Sequence, residues 1–348
     1  MSIANRVTIR EIAARLGVSH VTVSLALNGN SRISKSRREQ VLKMAQEMGY
    51  RPDPMLSSLV LYRHRKRPAQ IHNALAWINY WEHPEDLRKI REFDAYWIGA
   101  SAAAERFGYR LDEFVWQPDL TPQRFETILQ TRNIRGVLIP PHRTNPDWGN
   151  FHWENFSVIR FGLSVRSPDT HVVTADHLRG VITAVEKIHA YGYNRIGFVA
   201  PKDFDLRLGG GWTGGFIAAQ KLLDLPHPVP PLLTNETLKT SSFTQQFKRW
   251  LDKYKPDAIL TPDSRLVATL QHFKLRIPQD IAVAATTVFD IPVDTGINQN
   301  SEEIGRVAVE TLISLMNIND QGKPAVPRRI LIRGTWVDGT SLPNRKAA

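Results

Sequence analysis

The chain has 348 residues, 42% of them hydrophobic and 23% charged, with no cysteine; this suits two or three ordinary domains and excludes disordered, collagen-like and coiled-coil chains. Lack of cysteine removes disulfides, thiolate zinc sites, iron–sulfur clusters and cysteine nucleophiles together, and favours a cytosolic protein. The net charge of +11 is concentrated: residues 1–68 hold 13 basic and 4 acidic residues while the rest is near balance, which points to a polyanion partner, nucleic acid above all.

Met1 to Arg10 offers no apolar stretch for a secretory core, and an apolar run of about 18 residues is found nowhere, so neither export nor a membrane partner is expected. From Thr8 the pattern Ile9, Ile12, Ala13, Leu16 predicts a short helix, started by the capping box Thr8-x-x-Glu11 with Val7 stapled onto Ile12, and stopped by Gly17. Ser19 caps a second helix to about Leu27, with Val23, Ala26 and Leu27 inward, and Asn28-Gly29-Asn30 ends it. A third, capped by Ser34 or Ser36, turns Val41, Leu42, Ala45 and Met48 inward and closes at Gly49. Tyr50 to Asp53, an apolar stretch Met55–Tyr62 and the basic run Arg63–Arg67 read as a linker containing a short helix.

Beyond residue 70, short β-rich runs alternate with amphipathic stretches. Strands are expected at 75–80, 111–116, 137–139, 158–161, 196–200, 258–260, 281–285 and 330–332, and helices at 94–107, 122–130, 178–191, 215–223, 243–254 and 302–315. This alternation argues for parallel sheets with helices on both faces.

Helix, glycine turn and capped helix within about twenty residues make a helix-turn-helix, whose second helix enters the major groove. Opposite its core stripe stand His20, Val21, Ser24 and Leu25. The two apolar ones either read thymine methyl groups or pack elsewhere on the protein, and the charge asymmetry favours readout. Arg10, Arg32, Lys35, Arg37, Arg38 and Arg51 suit phosphate contacts rather than base contacts.

Val7 to Gly29, Arg38 to Leu42 and Gly49 to Asp53 resemble the headpiece of the LacI-type (lactose repressor and purine repressor) bacterial transcription regulators, almost position by position. Ala190–Phe198, Pro256–Ile259, Ile277–Val283 and Ile297–Gly305 resemble landmarks of that family's regulatory domain. The resemblance implies an all-α headpiece over 1–50, a hinge with a hinge helix over 51–68, and an α/β periplasmic-binding-protein-like domain over 69–340. Its subdomains would cover about 70–173 with 288–317, and 174–287 with 318–340. It implies DNA contacts from Thr8, Ser19, His20, Val21, Thr22, Ser24, Leu25, Asn28, Arg32, Arg38, Tyr50, Arg51 and Ser58, with Leu59 as an intercalating wedge that kinks the duplex. Leu25 stands where the family usually has arginine, which removes a bidentate guanine contact.

A small-molecule effector would sit between the subdomains, near Asn79, Tyr80, Phe93, Trp97, Trp212, Asp263, Thr287 and Gln299. The family commonly has arginine at Trp212, asparagine at Pro262 and aspartate at Thr287, so the usual sugar-hydroxyl contacts are altered; Trp212 either stacks on a ligand or fills the cleft. Gly209–Gly214 fits G-x-G-x-x-G, but it does not follow a strand directly and Asp224 comes too early to hold a ribose. His152 with Glu154, and His227, lack metal-site spacing, and neither P-loop nor G-x-S-x-G occurs. The expectation is a homodimeric repressor on a near-palindromic operator, with no cofactor and no enzymatic role. A two-lobed solute-binding protein is the alternative.

Overall fold

The computed structural model describes residues 7–27, 33–50, 73–117, 119–235 and 240–346. Expectations placed on Asn28, Arg32, Arg51, Ser58, Leu59 and the 51–68 hinge lie outside the described residues. The chain divides into two compact units, the larger being residues 71–314 with 321–348.

In the N-terminal unit, α1 (Ile9–Leu16), α2 (His20–Leu27) and α3 (Lys35–Glu47) enclose a small core of Ile12, Ala13, Val23, Ala26, Val41 and Ala45. The capping box forms: Thr8 N–H donates to Glu11 Oε2 at 2.7 Å, and Glu11 N–H donates to Thr8 Oγ1 at 3.3 Å. Gly17 takes the left-handed conformation at φ 63° and lets the chain turn into α2. Ser34 Oγ caps α3 by accepting from Arg37 N–H. Leu42, expected inward, is exposed. Val41 and Ala45, one turn apart, already define the inward stripe, and Leu42 is rotated about 100° from Val41.

The larger unit contains two six-stranded sheets. The first joins β1 (Asn73–Asn79), β2 (Tyr109–Val115), β3 (Gly136–Ile139), β4 (Ser157–Phe161), β5 (His171–Ala175) and β11 (Arg329–Ile332) in the order β11-β5-β4-β3-β1-β2, all parallel. The second joins β6 (Ile196–Pro201), β7 (Leu232–Thr234), β8 (Ala258–Thr261), β9 (Ala282–Ala285), β10 (Gly296–Asn298) and β12 (Thr335–Val337) in the order β12-β10-β9-β8-β6-β7. There β12 alone runs antiparallel to its neighbour.

Helices α4 (Asp86–Lys89), α5 (Arg91–Arg106) and α6 (Pro122–Thr131) belong to the first lobe. The second carries α7 (His177–Ala190), α8 (Lys202–Arg207), α9 (Gly211–Leu222), α10 (Thr240–Tyr254) and α11 (Arg265–His272). α12 (Ser301–Asn317) returns to the first and lies directly against α5: a Cβ at Gly99 would strike the Glu302 backbone, and one at Gly305 the Tyr96 backbone.

The expected partition of the last fifty residues changes. β10, placed with the first subdomain, pairs with β9 of the second sheet, and β11, placed with the second, pairs with β5 of the first. The chain therefore crosses between lobes after β5, after β10 and between β11 and β12. Asn300, at φ 56°, ties two crossings together by donating from Nδ2 to Arg333 O at 2.8 Å. Asp176 N–H donates to Ile332 O at 2.9 Å and ties the first crossing to the third.

Candidate DNA-reading helix and ligand cleft

Ser19 opens α2, its hydroxyl accepting from Thr22 N–H at 3.0 Å and lying 2.9 Å from Thr22 Oγ1. Beyond this cap His20 is exposed, Val21 is 52% exposed, and Thr22, Ser24 and Leu25 are half-buried. Val21 therefore does not pack within this unit, whereas Leu25 is partly drawn in. Thr8 serves the α1 cap, Arg38 is half-buried on α3, and Tyr50 packs against the three-helix core. The result is a rigid three-helix support presenting one helix end with a mixed apolar and hydrogen-bonding face.

In the larger unit a cavity of about 470 Å³ opens between the lobes, where the carboxyl ends of both sheets face each other. Its lining follows strand ends closely. Pro141, His142 and Arg143 come after β3, Gly162 and Ser164 after β4, Phe204 and Arg207 after β6, Pro262 to Arg265 after β8, and Thr287 and Asp290 after β9. A larger, shallower depression of about 1070 Å³ beside α11 is open to solvent and lacks this convergence of strand ends.

Of the residues expected at the effector site, Phe93, Trp212, Asp263, Thr287 and Gln299 line the cleft. Asn79, Tyr80 and Trp97 do not. Asn79 is fully buried and spent on Pro84 O, Glu113 Oε1 and Trp81 N–H. Tyr80 packs against Trp116 and Trp148, and Trp97 meets the edge of Trp77 at 5.5 Å beneath the Arg88 guanidinium. Residues the sequence reading missed include Trp81, Glu92, His142, Arg143, His177 and Arg207. The signal available for His142 and Arg143 was their place just after the strand expected at 137–139.

Glu92 enters the cleft from α5 nearly buried, accepting from Thr287 Oγ1 of the second lobe and from Ser301 Oγ. Burial raises its pKa, and those two hydroxyls pull it back. Asp290 reaches from the second lobe to the start of α5, where its carboxylate accepts from Arg91 N–H at 3.0 Å and Glu92 N–H at 3.3 Å. A carboxylate at a helix N-terminus is favoured by the exposed amides and the helix dipole, so Asp290 fastens one lobe to the other.

His142 is nearly buried and accepts from Tyr80 N–H through Nε2 at 2.9 Å, with burial pushing its pKa down to about 4. Burial does the same to His177, also to about 4; its Nδ1 is shielded without a hydrogen-bond partner, and its ring stands edge-on to Trp212 at 5.7 Å. Both imidazoles are neutral at pH 7. Asp263 is held in a bidentate pair with Arg265, while Gln299 Nε2 donates to Thr286 O at 3.3 Å. Trp212 is 3% exposed, within the second-lobe core and in the cleft wall at once, so its packing and lining roles coincide.

The glycine run does not build a nucleotide site. α8 separates it from β6, and the α9 N-terminus is occupied by the buried Asp205 carboxylate, which accepts from Trp212 N–H at 3.0 Å and Thr213 N–H at 3.3 Å. A pyrophosphate would need those same amides.

Residues 8–53 match the model of the bacterial regulatory proteins of the lacI family, and residues 185–342 match that of a periplasmic-binding-protein-like domain. Residues 8–53 are thus a DNA-binding region of the lacI type, joined in one chain to a periplasmic-binding-protein-like domain. It is 22% identical to the HTH-type transcriptional regulator RegA of Clostridium saccharobutylicum, over 91% of this chain and 95% of RegA. It is 24% identical to the HTH-type transcriptional repressor CytR of Escherichia coli strain K12, over 94% of this chain and 96% of CytR. The solved complex of the transcriptional regulator CelR with cellobiose shares its fold at a TM-score of 0.55 and 19% identity, covering 97% of this chain and all 100% of that one. With both regions in one chain, and relatives that are transcription regulators over more than nine-tenths of its length, the chain is a DNA-binding transcription regulator. Among the described residues no helix is long and apolar enough to cross a membrane.

Proposed function

We propose that this chain is a lacI-type, cytoplasmic, homodimeric repressor whose hold on a near-palindromic operator is set by a small molecule bound between the lobes. The observation that carries the reading is the pairing in one chain of a basic helix-turn-helix unit with a separate two-lobed domain enclosing a 470 Å³ cleft. His20, Val21, Ser24 and Leu25 read base edges, residues 51–68 are the hinge, and Leu59 is the wedge. Phe93, Trp212, Asp263, Thr287 and Gln299 contact the effector. CytR, a repressor by name, and CelR, solved with cellobiose, support the sign and a sugar-related ligand.

Binding of ligand and operator then share one equilibrium, so each changes the other's affinity by the same factor. Selection of genomic fragments by the purified chain, followed by titration of the recovered DNA against random DNA at several salt concentrations, tests the reading. The expected result is a palindrome bound at least about a thousandfold more tightly than random DNA. Equal and steeply salt-dependent binding to all DNA would reject sequence-specific control. Leu59→Ala is expected to weaken operator binding and reduce bending, measured by gel phasing, without changing ligand affinity.

A further inference from the structure

Glu92 is an acid that the closed cleft buries without a counter-charge. It reaches from α5 of the first lobe, is 5% exposed, and its two oxygens accept from the Thr287 hydroxyl of the second lobe and from the Ser301 hydroxyl at the start of α12. Among the described residues it makes no ion pair, and the Asp290 carboxylate, itself accepting from Glu92 N–H at 3.3 Å, stands beside it. Burial is the main cause that raises its pKa above the ordinary 4.5; the two hydroxyls lower it in part, and Asp290 adds to the rise.

Charged groups on the surrounding elements do not offset this. Lys89 of α4 pairs with Asp86 at 2.8 Å, and Arg91 of α5 donates to Phe289 O at 3.1 Å. Across the cleft Arg265 pairs with Asp263, and on the walls Arg143 and Arg207 lie over the Trp81 and Phe204 rings. The first turn of α12 brings only acids: Glu302, which is exposed, and Glu303, which pairs with Arg306. The Tyr96 phenol, one turn along α5, is buried and stays protonated. Separating the lobes takes Thr287 and Asp290 away from Glu92 and opens it to water, where a carboxylate ionises without the cost of burial. Protonation and lobe position are therefore linked through one side chain.

We propose that closure of the cleft takes up a proton at Glu92, so that acidity is a second ligand of the closed form alongside the effector. This rests on the effector-controlled reading above and adds the proton as a regulator of the same cleft. The closed form holds the proton more tightly than the open one. Closure is therefore most favoured below about pH 4.5, and above it the closed-to-open ratio falls by up to about tenfold per pH unit, until Glu92 ionises in the closed form as well. By reciprocity, a molecule that closes the cleft in that window draws a proton from solution. His142 and His177, neutral in the closed cleft with pKa values of about 4, respond with the opposite sign wherever opening exposes them to water. The Glu92 contribution is thus read as a difference between variants that share both histidines.

The chain has no native cysteine, so Glu82→Cys and Lys202→Cys, exposed positions just after β1 and β6, can carry a donor–acceptor dye pair on the full chain. Labelled chain diluted into excess unlabelled chain is followed by energy transfer, with no ligand added, from about pH 4.5 to about pH 8. Relative to Glu92→Gln, whose uncharged amide keeps a carbonyl for the Thr287 hydroxyl, energy transfer should fall as the pH rises. Ser301→Ala, which removes a hydroxyl that favours the charged form, should move that fall to higher pH. A protonated-carboxyl band in the infrared spectrum, present in the wild type and absent in Glu92→Gln, is expected over the same window. Equal pH profiles for the wild type and Glu92→Gln overturn the proposal; should Glu92→Gln fail to fold, an unmoved profile in Ser301→Ala does the same. Titration of the selected palindrome across this pH range separates the two readings. Closure that depends on Glu92 but leaves operator affinity unmoved removes the coupling of cleft to DNA and keeps the proton uptake, whereas equal closure profiles with an operator affinity that still answers to a cleft ligand remove the proton and leave effector control standing.

Discussion

Val21 and Leu25 give α2 a thymine-reading character. Val21→Ser is expected to weaken operator binding by about tenfold, about 1.4 kcal/mol, while leaving binding to random DNA unchanged in filter or anisotropy assays. Leu25→Arg should instead move the preferred half-site toward G·C at one position in a selection experiment. In the cleft, His142 couples stability to pH. Its pKa falls from an ordinary value near 6.5 to about 4 on folding, so its contribution is complete above about pH 6.5 and is lost as the pH falls toward 4, by up to about 3 kcal/mol. Urea midpoints of the ligand-binding unit should drop across that window, and His142→Gln should flatten the slope. At this scale the sequence shows residue chemistry better than direction. Phe93 and Trp97 are one turn apart on α5, yet Phe93 faces the cleft and Trp97 packs on Trp77. Asn79, at the end of β1, turns into buried hydrogen bonds. A strand's alternation, or one turn of advance along the same helix face, decides which neighbour reaches a ligand, and composition does not encode it.

Among the elements, the headpiece is the most legible, because caps and glycine stops are local chemistry: the side chains of Thr8, Glu11, Ser19 and Ser34 and the left-handed backbone of Gly17 act where they stand in the sequence. Thr8→Ala should cost α1 about 1 kcal/mol, seen as faster hydrogen exchange of the Ile9–Leu16 amides. Strands β7, β10 and β12 are three residues long, too brief for any periodicity to register in the sequence. β5 (His171–Ala175) is buried along its whole length, so its apolar and polar residues show no two-sided alternation. α4 and α8 are four and six residues, set by the ends of neighbouring elements rather than by their own pattern. The contact of α5 with α12 is also non-local. Gly305→Val should destabilise the ligand-binding unit by several kcal/mol, of the order of a severe overpacking, because the new side chain meets the Tyr96 backbone.

For the whole molecule, the charge split along the sequence identified the DNA-binding segment, and the βα alternation identified the two-lobed unit. The partition of residues 288–340 between lobes was not accessible that way, since β10 and β11 are assigned by pairing partners more than a hundred residues apart for β11 and β5. Asp290→Ala is expected to remove the cap it places on α5 across the cleft, costing the closed arrangement about 1–3 kcal/mol, visible as a larger radius of gyration in solution scattering and weaker ligand binding.

Asn300 and Asp176 bind the three interlobe crossings into one ribbon. Such a ribbon bends about a single axis, so the lobes approach or part along one coordinate rather than sliding and twisting independently. Occupancy by a ligand then redistributes molecules between open and closed forms instead of setting a new angle for each compound. A partial agonist for this regulator would be a molecule that leaves some copies in each form, and transcription would be graded across a population of cells while every single protein remained either open or shut.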